Sequence, residues 1–198
     1  MASQSSDRTV QQILASARQR MSIARQAQRD FNEGGERRLA GLQNAITVGR
    51  SVTWAVQGLR GAVDEFDAWY EPIQRELKDD AVCRWFVEVR NRIEKQGTHG
   101  EHSSGTYIAH LNTDDLRRQQ PPGTKSTFIG DQLGRSGWVI GMPDGTEQTV
   151  YFRLPETVGR SWLNMNDAPD GRSVDALLEY WLSKLETVVD RACAEFGE

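Results

Sequence analysis

Cysteine, histidine and long apolar runs are all scarce in this chain, and each scarcity removes a class of protein. Two cysteines in 198 residues cannot form the disulfide framework of a small secreted domain. Cys83 and Cys193 both fall on or beside apolar helical stripes, which predicts buried free thiols. No apolar run reaches the roughly 20 residues of a bilayer span, and the opening MASQSSDRTVQQ lacks a signal-peptide core. The expectation is a cytoplasmic protein with no membrane partner. The histidines are His99, His102 and His110, in a glycine- and serine-rich stretch with no cysteine nearby. They are expected to be loop histidines; neither a metal nor a cofactor is expected. No glycine-rich phosphate loop follows a strand, and no nucleophile elbow is present.

What remains is a polar globular chain, 37% hydrophobic and 26% charged, long enough to bury a real core. Its net charge of −4 is unevenly spread: residues 1–60 carry nine arginines, no lysine and four acids, so that this part is +5 and the rest −9. Such a split marks either an anion-binding face, open to RNA or a protein partner, or a helix docked on the acidic remainder of its own molecule.

Hydrophobic periodicity predicts four helices over residues 7–96. Val10, Ile13, Leu14, Ala17, Met21, Ala24 and Phe31 share one face of the first, and NEGG at 32–35 ends it. The second, from about Glu36 to Ala62, has Leu39, Leu42, Ile46, Val52, Val56 and Leu59 as its stripe, with Trp54 widening it. A third, Asp64 to Leu77, contains Pro72, which predicts a kink or break near Tyr70 and Glu71. The fourth is capped by Asp79 or Asp80, carries Val82, Phe86, Val89 and Ile93, and stops at Gly97. Residues 97–172 read as polar loops with a small antiparallel β insertion of three or four strands, including a hairpin turning at PDG, 143–145. A C-terminal helix over 173–197 closes the core. The predicted fold is therefore mainly α: one domain, an antiparallel up-and-down helical bundle with a β insertion before the last helix.

One polar group stands out against this scaffold. Arg90 follows Phe86 by four residues and precedes Ile93 by three, at the edge of a buried stripe, where a guanidinium is costly unless an anion meets it. Asn91 and Lys95, four apart, share the adjacent face. This pattern resembles the HEPN superfamily of small helical-bundle proteins, whose motif is an arginine, a polar residue that is often asparagine, three to five further residues and a histidine. Arg90 and Asn91 match it; Lys95 stands where the histidine is expected, and His99 lies further on. The stretch FDAWYEPIQRELKDDAVCRWFVEVRNRIEKQG is also similar to an uncharacterised bacterial group with an RN...KxG ending.

The resemblance implies a homodimer that binds or cleaves RNA or a nucleotide phosphate without a metal, in a bacterial toxin or antiphage setting. In that chemistry an arginine neutralises charge on the phosphate and a histidine moves the proton of the 2′-hydroxyl. An ordinary lysine stays protonated near neutrality, which makes that residue type a poor proton carrier unless strongly desolvated. The other reading of the same residues is non-catalytic: Arg90 pairs with Glu94 at i,i+4, and the chain is a protein–protein interaction module with a degenerate motif.

Overall fold

The structure is a computed structural model and describes residues 9–109, 113–155 and 158–197; His110 lies outside them. Among the described residues there are six α-helices: α1 (Val10–Glu33), α2 (Arg38–Gln57), α3 (Phe66–Asp79), α4 (Ala81–Gln96), α5 (Thr113–Arg118) and α6 (Val174–Phe196). Five strands accompany them: β1 (His102–Ile108), β2 (Thr124–Phe128), β3 (Ser136–Gly141), β4 (Glu147–Phe152) and β5 (Gly159–Met165). The fold is thus mixed α and β with two antiparallel sheets, which corrects the expectation of a mainly α bundle with one small insertion. The chain divides into two compact units, Met1–Gln28 with Gln43–His99 and Leu177–Glu198, and Arg29–Leu42 with Gly100–Ala176. No helix among the described residues is long and apolar enough to cross a membrane.

The first unit is the helical one. Ile13, Leu14, Ala17, Met21 and Ala24 are buried as their spacing predicts, and Ile46, Val52 and Val56 bury the inner face of α2. Trp54 does not join this core and is 47% exposed; Leu39, which falls in the second unit, is exposed as well. α3 runs unbroken through Pro72. At the start of α4 the Asp80 carboxylate accepts from the Cys83 amide at 2.9 Å, and at its end Gly97 adopts φ 67° and donates to Ile93 O. α6 supplies Leu177, Leu178, Trp181, Leu182 and Leu185 to the centre. Trp181 stacks on Phe86 with ring centroids 4.5 Å apart. Gly49 is what admits that indole, because a Cβ there would lie 2.7 Å from Trp181 Cζ3. The first of the two readings of the arginine-rich start does not describe Arg25, whose guanidinium bonds Glu179, Glu186 and Ser183 of α6 at 2.7–3.0 Å.

The second unit has its own core of Phe31, Leu42, Trp138, Leu154, Val158, Leu163 and Met165. β3 and β4 form the hairpin predicted around PDG; Gly145 takes φ 84°, and Asp144 Oδ1 accepts from both the amide and the hydroxyl of Thr146. β2 completes this three-stranded sheet in the order β2-β3-β4. The second sheet pairs β1 with β5 across some fifty intervening residues, from His102↔Met165 to Ile108↔Gly159. β5 and α5 fall in stretches whose composition reads as loop. The reason is visible in the pairing: Gly105 sits opposite Trp162, whose indole occupies the space a Cβ would need, and a Cβ on Gly159 would run into Tyr107 O. Glycine, poor in strands on propensity, is required here by a cross-strand neighbour.

Candidate functional site

Arg90 lies on the third turn of α4 with its side chain four-fifths buried. Its Nη2 is 2.7 Å from Glu94 Oε2, and its Nη1 donates to Asn91 Oδ1 at 3.2 Å. The two partners are on the same helix, so the pair is the one the i,i+4 spacing offers. Nε of Arg90 is buried without a hydrogen-bond partner. Asn91 is thereby placed as a neighbour of the guanidinium. Lys95 is exposed one turn further on, and His99 is buried beyond the left-handed Gly97, after the helix has ended. Arg90 and Asn91 are brought into contact, and Lys95 and His99 lie beyond them along the chain.

The structure adds Arg50, to which no role attaches in the sequence, and Trp54, which periodicity assigns to the core. The guanidiniums of Arg90, on α4, and of Arg50, on α2, each lie 5.1 Å from the ring centroid of Trp54. Arg50 and Trp54 are four apart on α2, which sets their side chains one above the other. Cation–π attraction holds both cations to the indole, worth about 0.5–2 kcal/mol each depending on desolvation. Trp54 is nevertheless the most exposed of the large aromatics on this unit's helices, at 47%. The spacing Arg50-x3-Trp54 was the signal available in the sequence; the approach of Arg90 was not.

The electrostatics of this group are unbalanced. Arg50 is half-buried, donates only to Thr53 Oγ1 at 2.6 Å, and among the described residues has no carboxylate partner. Burial pushes its guanidinium below the usual value; Tyr70 opposes that and the charge of Arg90 adds to it. Arginine stays protonated through any such shift, so the site keeps two positive charges, of which Glu94 answers one. Beside Arg50 opens a cavity of about 360 Å³ within the helical unit. Tyr70, Val87, Trp181 and Leu185 supply apolar wall, and Gln57 and Gln74 supply amides. Gln57 Nε2 reaches Tyr70 Oη at 3.4 Å. An apolar chamber with amides and a guanidinium at its margin is the ordinary make-up of a small-molecule pocket.

His102 stands exposed on β1, its Nδ1 3.3 Å from Gly100 O. Among the described residues no three His, Cys, Asp or Glu side chains are placed to share a metal ion. Both cysteines are free, Cys83 buried and Cys193 half-buried. In the β3–β4 hairpin Trp138 and Phe152 pack with ring centroids 4.2 Å apart and planes tilted by 31°, and Trp138 is buried.

No curated protein and no solved structure matches this chain. Residues 8–111, more than half of its length and including α1 to α4 with Arg50, Trp54 and Arg90, match the family of bacteriophage lambda protein ea47, and the chain belongs to that family.

Proposed function

We propose that the helical unit binds RNA, or another nucleotide phosphate, without a metal, on the surface formed by Arg50, Trp54 and Arg90. The observation that carries this reading is the gathering of two guanidiniums over one exposed indole, with Glu94 the one carboxylate paired to them among the described residues. Single-stranded nucleic acid is held by that combination: an unpaired base stacks on an indole or guanidinium plane, and the backbone phosphate pairs with the cations. Lys95, exposed on the same helix, adds a further positive charge near its end.

Binding is favoured over cleavage by the state of the motif. A transition state is stabilised by a guanidinium free to meet it, and Arg90 is committed to Glu94. His99, the candidate proton carrier of a HEPN-like ribonuclease, lies past the helix stop and is buried. A toxin or antiphage role belongs to the same proposal through the HEPN resemblance, as does a homodimer; the family's phage namesake supplies phage and bacterium as the setting. The second reading, a non-catalytic protein–protein module, draws on the same Arg90–Glu94 pair, which closes the motif on its own helix.

The test is to titrate labelled single-stranded RNA with the full chain in excess chelator, beside Trp54→Ala and Arg90→Ala. RNA that is bound intact, and released by either substitution, supports the proposal. RNA that is cut in chelator, with the cut lost in Arg90→Ala and His99→Ala, moves the reading to a nuclease. A folded protein with no affinity for RNA leaves the interaction module.

A further inference from the structure

The second unit contains a cavity of about 270 Å³ that the motif plays no part in. Four arginines line it, Arg38, Arg135, Arg153 and Arg160, against two carboxylates, Glu33 and Asp175. Arg38 is the unusual one. Its residue is 5% exposed, its ring-stacking face rests on Phe31 at 4.5 Å, and Nη1 donates to Phe31 O at 3.1 Å. Nε and Nη2 are buried and make no hydrogen bond; the approach of Nη2 to Asp175 Oδ1 is 3.7 Å, too long for one. Asp175 answers this charge through space alone, and the unmade hydrogen bonds leave a demand for further negative charge beside Arg38.

The neighbours sharpen that demand. Burial lowers the Arg38 pKa; Asp175 and Asp131 oppose the shift, and the positive charge of Arg135 reinforces it. Arg135 spends its Nε on Asp131 Oδ2 at 2.7 Å while resting on the Tyr151 ring. Arg153 and Arg160 are exposed. Three lining glycines, Gly34, Gly35 and Gly134, hold positive φ, a backbone that residues with a Cβ adopt only under strain. A Cβ on Gly134 would sit 3.2 Å from Ser161 Cβ, so the wall is drawn in where the glycine stands.

We infer that this cavity is a binding site for a phosphate monoester, with the phosphate taken by Arg38 and the arginines around it. The four lining guanidiniums face Glu33 and Asp175, and with Asp131 paired to Arg135 the surplus is one positive charge, which suits a phosphate anion. Guanidinium forks match phosphate geometry, and the cavity exceeds a bare phosphate, leaving room for a small sugar. The site is independent of the RNA surface and uses none of its residues.

Isothermal titration of the full chain at fixed ionic strength tests it, with inorganic phosphate and ribose 5-phosphate as probes and chloride and ribose as controls. Both phosphate probes are expected to bind and neither control. Tighter binding of ribose 5-phosphate than of inorganic phosphate supports an ester site; equal binding of the two would overturn the ester. Arg38→Gln should weaken the affinity at least about tenfold. The double variant Arg153→Gln/Arg160→Gln alters only exposed residues and should also weaken it, while Arg75→Gln, on α3, should not. Should Arg38→Gln fail to fold, the double variant decides alone. Phosphate binding no stronger than chloride, or binding that the double variant leaves intact, would overturn the inference.

Discussion

Tyr180 on α6 donates to Asp80 Oδ2 at 2.7 Å, joining two residues a hundred positions apart at the first turn of α4. The same carboxylate caps Cys83 N and receives Lys184 Nζ at 3.0 Å. Burial alone would raise the Asp80 pKa; the bonds from Tyr180, Cys83 N and Lys184 outweigh it and hold the group at about 2, against an ordinary 3.8. A depressed carboxylate pKa means stability that is complete above the unfolded value and lost as pH falls through the folded one. With an Asp80 side chain only 11% exposed, that is roughly 2 kcal/mol disappearing between about pH 4 and pH 2. Asp80→Asn keeps an N-cap but not the charge. Urea midpoints measured across that window should fall more steeply in the wild type than in the variant, and parallel curves would refute the assignment.

Burial first, and then the Asp80 charge, push the neighbouring Cys83 thiol up to about 12. Because the thiolate is the nucleophile, Cys83 should resist alkylation in the native protein at pH 8. Half-buried Cys193 should be labelled in its place, and both should react in urea. Peptide mass spectrometry after brief iodoacetamide treatment reads this directly; native labelling of Cys83 would show that the α4–α6 contact opens.

Those two residues also mark how far the sequence could be read. Asp80, Val82, Phe86, Val89 and Gly97 declare α4 and its ends, because capping, periodicity and a left-handed stop are all local in the chain. The hairpin at PDG is local for the same reason. β5 is not: Gly159 and Trp162 make sense as strand residues only beside Tyr107 and Gly105, some fifty positions earlier, so the fold class was misjudged where pairing is long-range. The candidate site was legible by half. Arg90 and Asn91 stand out on a helical wheel, whereas Trp54, counted toward the core from its place near the stripe, faces solvent under two guanidiniums that only tertiary structure assembles.

Gly49 illustrates a packing choice that runs against local propensity. Alanine in the middle of α2 would gain about 1 kcal/mol of helix preference. Its Cβ, however, would lie 2.7 and 2.8 Å from two Trp181 ring carbons and 3.2 Å from Leu182 Cδ2. Trp181 is 2% exposed and stacked on Phe86, so it has nowhere to retreat. Overpacking of that kind costs about 1–3 kcal/mol, and the clash is severe enough to put Gly49→Ala at the upper end. A net loss of about 1–2 kcal/mol in chemical denaturation is expected; a more stable variant would mean that propensity, not the α2–α6 approach, governs this position.

Stacking and charge at the proposed RNA surface can be separated by salt. Replacing Trp54 with alanine removes a stacking platform worth roughly 1–3 kcal/mol per base, an affinity loss of about 5- to 150-fold. It removes no cation, so the slope of log affinity against log salt should stay as it is. Arg50→Gln removes one phosphate contact, and for a single strand each such contact contributes about 0.7 to that slope. The slope should therefore become shallower by about that amount, with Trp54 still half-exposed and available. Arg90→Ala is expected to change the slope less than Arg50→Gln, because Glu94 already answers part of its charge and is set free by the substitution. Measured by anisotropy between 50 and 200 mM salt, an equal slope change in all three variants would mean that they perturb the helices rather than contact the ligand.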